Sequence, residues 1–119
     1  LGAVHAMSHA AGRIERLNLH HGTLNAVFLP AVLRFNAPAC EEKYVRLRQA
    51  MGLAPGADIA EAVSAMNADI GLPSGLRAMG VKDEDISELI QFAKRDLSAL
   101  SNPRKAADGD FEAMIRASF

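Results

Sequence analysis

Four histidines, His5, His9, His20 and His21, all fall within the first 21 of 119 residues. Imidazole is the commonest protein ligand for transition metals, and its ring nitrogen suits iron or zinc. His5 and His9 are spaced i, i+4, so a helix projects both from one face. His20 and His21 open the next apolar segment and can close on the same point. Gly22 beside them lets backbone pass close to an ion or cofactor. The same four residues also have plainer uses as helix caps and surface groups. An HxxxH pair without the glutamate of the zinc-protease motif does not by itself specify a metal. Glu15 is the only carboxylate nearby in sequence, and its helical position does not match His5. A metal here needs ligands from elsewhere.

The elements that must position these rings are helices. Ala is the commonest residue, Thr occurs only at Thr23, Trp is absent and Tyr44 stands alone. Strand formers are thin, helix formers dominate, and no stretch alternates with period two. The pattern predicts an all-α fold. A first helix is expected over Gly2 to Arg16 and a second over Gly22 to Phe35. The second is apolar nearly all round, through Leu24, Val27, Phe28, Leu29, Val32 and Leu33, which marks it as central and buried. Pro30 inside it removes one backbone hydrogen bond and is expected to bend it near Ala26 to Pro30. Asn36-Ala37-Pro38 is a break with a polar cap candidate, followed by a helix over Ala39 to Met51. Asp58 is an N-cap candidate with Glu61 as its capping-box partner, for a helix to Ile70. A short turn is expected at Leu76 to Met79. A further helix is expected over Asp83 to Leu100, with an acidic first turn suited to the helix dipole. The last, short helix is capped by Asp108 and runs through Phe111, Met114 and Ile115.

Half of the residues are hydrophobic, 23% are charged, and the net charge is −1. This is the composition of a globular domain, with no basic patch for nucleic acid and no acidic tail. Cys40 is the sole cysteine and cannot form an internal disulfide, which points to a reducing cytoplasm. The apolar run Asn25 to Phe35 contains Pro30 and Arg34 and is too short to cross a bilayer. No signal peptide is evident. The methionines read as core filler, with Met7 close to the histidines through its neighbours. Cys40 reads as a small core or surface thiol rather than a nucleophile, and Arg104 as a surface or helix-end contact. Starting at Leu1 rather than Met, within a helix, the chain is expected to belong to a longer parent.

The segment Gly2-Ala3-Val4-His5-Ala6-Met7-Ser8-His9, then Gly12, then His21-Gly22-Thr23-Leu24-Asn25-Ala26-Val27, resembles the signature of the iron-containing alcohol dehydrogenase family. Leu29-Pro30-Ala31-Val32-Leu33-Arg34-Phe35-Asn36 fits the same pattern. So do Gly71-Leu72-Pro73, Leu76-Arg77, Met79-Gly80-Val81 and Asn102-Pro103-Arg104. The resemblance covers essentially the whole chain and implies the C-terminal helical, metal-binding domain of a dehydroquinate synthase-like fold, spanning residues 1–119. It also implies an N-terminal dinucleotide-binding domain elsewhere, with the metal in the cleft between the two. The family's ion is held by one aspartate and three histidines. Two of these fall on His5 and His21, and the other two lie upstream. His9 then sits close to metal and nicotinamide without being a regular ligand, as a catalytic and cofactor-contacting residue. The spacing from His5 to His21 is two residues longer than usual, with the extra length between Arg13 and Leu19. This brings His20 into contention. His21 is preferred because Gly22 and Asn25 keep the pattern after it.

The implied function is interconversion of an alcohol and an aldehyde or ketone with NAD or NADP. Iron serves as Lewis acid, and zinc suits the same ligands. The expected partners are a small alcohol or carbonyl substrate and the chain's own N-terminal domain, with neither nucleic acid nor membrane. The isolated chain is expected to be inactive. The cleft face of its first two helices is expected to be exposed and to favour a homodimer. The competing reading is a non-catalytic all-helical interaction module. It explains the composition but not the clustered histidines. A metal-dependent helical hydrolase lacks the carboxylate-rich motifs such sites need.

Overall fold

A computed structural model describes all of residues 1–119 and contains helices and turns but no strand. The six α-helices are α1 (Ala3–Gly12), α2 (His21–Asn36), α3 (Glu41–Ala50), α4 (Ile59–Asp69), α5 (Ile86–Ala93) and α6 (Asp108–Ala117). Helix α2 is the hub: α1, α4 and α6 all pack on it, and α5 closes the bundle against α1 and α6. The main core gathers Met7, Leu24, Phe28, Leu76, Leu89, Phe111 and Ile115, all fully or nearly fully buried. A smaller cluster of Cys40, Tyr44, Ile59 and Val63 joins α3 to α4. No helix is long and apolar enough to cross a membrane.

Helical hydrogen bonding continues through Pro30 to Asn36. Pro30 has no N–H for the Ala26 carbonyl one turn earlier. Asn67 of α4 supplies the missing donor, with Nδ2 2.9 Å from that carbonyl. At the far end of α2, Pro38 likewise offers no N–H. Ala37 turns its own N–H to the Arg34 carbonyl, and the Tyr44 hydroxyl donates to the Leu33 carbonyl at 2.9 Å. Burial, and then Cys40 nearby, pushes the Tyr44 hydroxyl up to about 12.

Several expected boundaries shift. Helix α1 stops at Gly12 rather than Arg16. Ile14 leaves helical geometry, and Glu15–Leu17 form a 3-10 turn ended by Asn18 in the left-handed region. Contacts across the fold hold this turn: Arg16 reaches Asp85 at 2.5 Å, and Arg13 stacks on the Phe92 ring at 4.1 Å. The expected helix from Asp83 to Leu100 is three pieces. A 3-10 turn over Asp83–Asp85 leads into α5, and a second over Leu97–Ser101 follows a break at Asp96. Asp96 makes that break by accepting the Ser98 N–H at 2.8 Å, as an N-cap does.

Asp58 caps α4 as expected, accepting the Glu61 N–H at 3.1 Å. The Glu61 carboxylate does not complete a capping box. It turns to Arg34 at 3.4 Å. Asn36 stands at the N-cap position of the 3-10 turn Ala37–Ala39, but its side chain makes no capping bond and is half of an amide pair with Asn102, with Nδ2–Oδ1 distances of 3.2 and 2.7 Å. Asp108 is the first residue of α6. The side chain that closes that start is Asp110, accepting the Ala107 N–H at 2.8 Å. Met7 is wholly buried, whereas Met51 and Met66 are exposed rather than core filler. Arg104 meets the end of α2, donating to the Phe35 carbonyl at 2.8 Å. The exposed large apolar residues are not on α1 or α2. Leu97 and Leu100, on the turn after Asp96, are more than 80% exposed.

Candidate metal centre

Helix α1 carries His5 and His9 one turn apart, and α2 begins at His21 beside them. The three rings form a near-equilateral cluster. Ring centroids lie 5.9 Å apart for His5 and His9, 5.6 Å for His5 and His21, and 5.3 Å for His9 and His21, the last pair stacked. The start of α1 is fixed from 99 residues away, since Asn102 Oδ1 accepts the Ala3 N–H at 3.1 Å. A Cβ on Gly2 would stand only 2.9 Å from that oxygen, so a larger residue there would push the Asn102 side chain out of this cap.

His5 is half-buried, and its pKa is lowered, first by burial and further by the neighbouring His21 and His9; Asp96 opposes them. The neutral ring is thereby favoured, the form a metal requires. His21 is held at both nitrogens: Nδ1 is 2.9 Å from Ser8 Oγ, and Nε2 is 3.1 Å from Asn25 Nδ2. Asn25 Oδ1 is buried with no partner. His9 Nδ1 pairs with Asp96 Oδ2 at 2.9 Å. Burial alone would raise the Asp96 carboxyl. The Ser98 N–H and His9 outweigh it and hold the group below the ordinary carboxylate range.

His20 does not join the cluster. It is the N-cap of α2: its Nδ1 accepts the Thr23 N–H at 3.3 Å and lies 3.2 Å from the Thr23 hydroxyl. The space that Gly22 leaves is taken by this capping ring rather than by an approaching ligand. A Cβ there would stand 3.0 Å from His20 Cε1.

The donor set fits a metal ion. Two imidazoles bound to one ion through nitrogens ~2.0–2.1 Å away have ring centres about 5 Å apart, close to the 5.6 Å between His5 and His21. The orphaned Asn25 oxygen marks polar groups left unsatisfied beside them. No three His, Cys, Asp or Glu side chains of the chain form a complete ligand set. A site on His5 and His21 needs further donors from other sequence.

Residues 1–119 match the family model described as Fe-containing alcohol dehydrogenase family, C-terminal. The chain belongs to that family. It is 47% identical over 125 aligned positions to a 4-hydroxybutyrate dehydrogenase of Cupriavidus necator, covering 99% of this chain and 33% of the relative. It is 37% identical to a 1,3-propanediol dehydrogenase of Citrobacter freundii, covering 100% of this chain and 32% of the relative. It superposes on a crystal structure of 1,3-propanediol oxidoreductase with a TM-score of 0.90 at 38% identity, covering 100% of this chain and 33% of that one. The chain thus spans about a third of the length of the relatives it matches, and the all-helical fold is that of the family's C-terminal part.

Two functional candidates in this family member escape sequence reasoning. Asp96 is 87 positions from His9, and it reaches the ring only because α5 ends early. Ser8 sits in an alanine-rich helix, where a serine gives no signal of its own. The i, i+4 relation that linked His5 to His9 has no counterpart for either residue.

Proposed function

We propose that this chain is the metal-holding C-terminal part of an NAD(P)-linked alcohol dehydrogenase that interconverts an alcohol and an aldehyde or ketone. The observation that carries the reading is the convergence of His5, His9 and His21 from two helices, with every centroid separation under 6 Å. A helical interaction module has no need of that convergence. His5 and His21 would hold the ion, with an aspartate and a histidine from an N-terminal nucleotide-binding domain completing the set. A bound ferrous ion, or zinc on the same ligands, supplies a Lewis acid that lowers the pKa of the alcohol hydroxyl and so favours hydride transfer to nicotinamide. His5 contributes a ring whose neutral form burial favours. His9, with Nδ1 tied to Asp96, presents Nε2 to accept or return the hydroxyl proton. The cytoplasm is the proposed compartment.

The test is to strip the full-length protein with chelator, restore ferrous ion or zinc, and assay primary alcohols and their aldehydes with NAD and with NADP. Metal-dependent turnover of at least one pair is expected. Full turnover in the stripped protein would contradict the reading.

A further inference from the structure

Ser8 is fully buried although it is polar. A hydroxyl withdrawn from water needs partners, and Ser8 finds both on one residue. Its Oγ lies 2.9 Å from His21 Nδ1 and 3.4 Å from the His21 carbonyl oxygen, to which it donates. A hydroxyl has one proton. With that proton on the carbonyl, Oγ can only accept from the ring, so Nδ1 carries hydrogen. The other side of the ring gives the same answer. Asn25 Nδ2, 3.1 Å from Nε2, is an amide nitrogen and can only donate, so Nε2 carries the lone pair, which accepts from Asn25 here and which an ion would take over from that amide. Turning the Asn25 amide over would give its oxygen the ring as partner but leave the two N–H donors of the amide nitrogen buried where the oxygen now stands, a costlier arrangement. Stacking on His9, with an interplanar angle of 16°, further restrains the ring.

The geometry points to Ser8 as a positioning residue that keeps the proton of His21 on Nδ1 and so presents Nε2 as the metal donor. This rests on His21 being a ligand, as proposed above. A partner that orients a metal-binding histidine through its other nitrogen fixes both the tautomer and the ring direction. Ser8 does this from α1, the helix that carries His5, so one helix contributes one ligand and aims another.

The test uses the full-length protein and its Ser8→Ala, Ser8→Thr and His21→Ala variants. Nitrogen NMR of the metal-free protein reads the His21 tautomer, and chelator competition reads the affinity for zinc. The expected wild-type result is a single Nδ1–H form. Ser8→Ala, at unchanged helix content, is expected to mix the two tautomers and to weaken zinc binding roughly 10- to 100-fold. Ser8→Thr, which keeps the hydroxyl, is expected to restore both. If the threonine variant does not fold, the two readouts on Ser8→Ala decide alone. An Nε2–H form in the wild type, or a Ser8→Ala with wild-type tautomer and zinc affinity, overturns the proposal. If His21→Ala loses zinc while Ser8→Ala keeps it, only the role of Ser8 falls. If His21→Ala keeps its zinc, the ligand assignment falls as well.

Discussion

At the scale of single residues, His20 and His21 are chain neighbours with different surroundings. One caps α2 through Thr23, and the other joins His5 and His9. His20→Ala is therefore expected to cost about 1 kcal/mol of stability and to leave metal content unchanged, as thermal melting and metal analysis would show. His9 stacks on His21 and is held by Asp96 through Nδ1. His9→Ala is expected to retain metal while kcat falls roughly 10²-fold or more, and Asp96→Asn is expected to fall less. Equal loss of metal in His9→Ala would instead make His9 a ligand. The histidine pairs were legible in the sequence because helical periodicity places i and i+4 together without knowledge of the rest of the fold. Asp96 and Ser8 were not, since their partners are set by how α1 meets α5 and α2.

At the scale of elements, the order of helices was legible but their ends were decided by side chains from other helices. Helix α2 shows this at Pro30, whose missing donor is replaced by Asn67 of α4. Asn67→Ala should destabilise the chain by about 1–2 kcal/mol by leaving the Ala26 carbonyl unpaired. In a Pro30→Ala background residue 30 regains its N–H, and the same substitution should cost clearly less. A denaturation double-mutant cycle without coupling between positions 30 and 67 would refute this. The start of the α5 segment makes a pH prediction. Burial would raise the Asp85 carboxyl, but the Lys82 N–H and the Arg16 guanidinium outweigh it and hold the group below its ordinary value. A depressed folded pKa gives stability that is present above the unfolded value of about 3.9 and is lost as pH falls through the folded one. Asp85→Ala should thus be destabilising at pH 7, with the difference from wild type shrinking below about pH 4. Parallel melting curves at pH 7 and pH 3 would check it. The break at Asp96, invisible to helical periodicity, has a functional consequence: a continuous helix to Leu100 would not place Asp96 as the N-cap of the next turn, where its carboxylate meets His9.

At the scale of the whole molecule, the chain is a slab of 42 × 31 × 19 Å. It carries half of a proposed ligand set, and it spans about a third of the relatives it matches. Hydride transfer needs nicotinamide and alcohol held at bond-forming distance, and positioning supplies much of the rate. The 119-residue chain alone is expected to show no turnover with added metal and NAD or NADP. Its exposed Leu97 and Leu100 are expected to promote self-association, which sedimentation of a Leu97→Lys, Leu100→Glu variant would show as reduced. The all-helical class could be read from the sequence because it depends on composition and period. The arrangement around α2 could not, because helices of similar apolar content pack in many orders. The central claim is that His5 and His21, and not His20, hold the ion. Its most direct test is metal content per protomer of the full-length protein and its three His→Ala variants at these positions, after equal dialysis against a weak chelator. The expected result is metal retained in wild type and His20→Ala and lost in His5→Ala and His21→Ala. Metal lost from His20→Ala and kept by His21→Ala would contradict it.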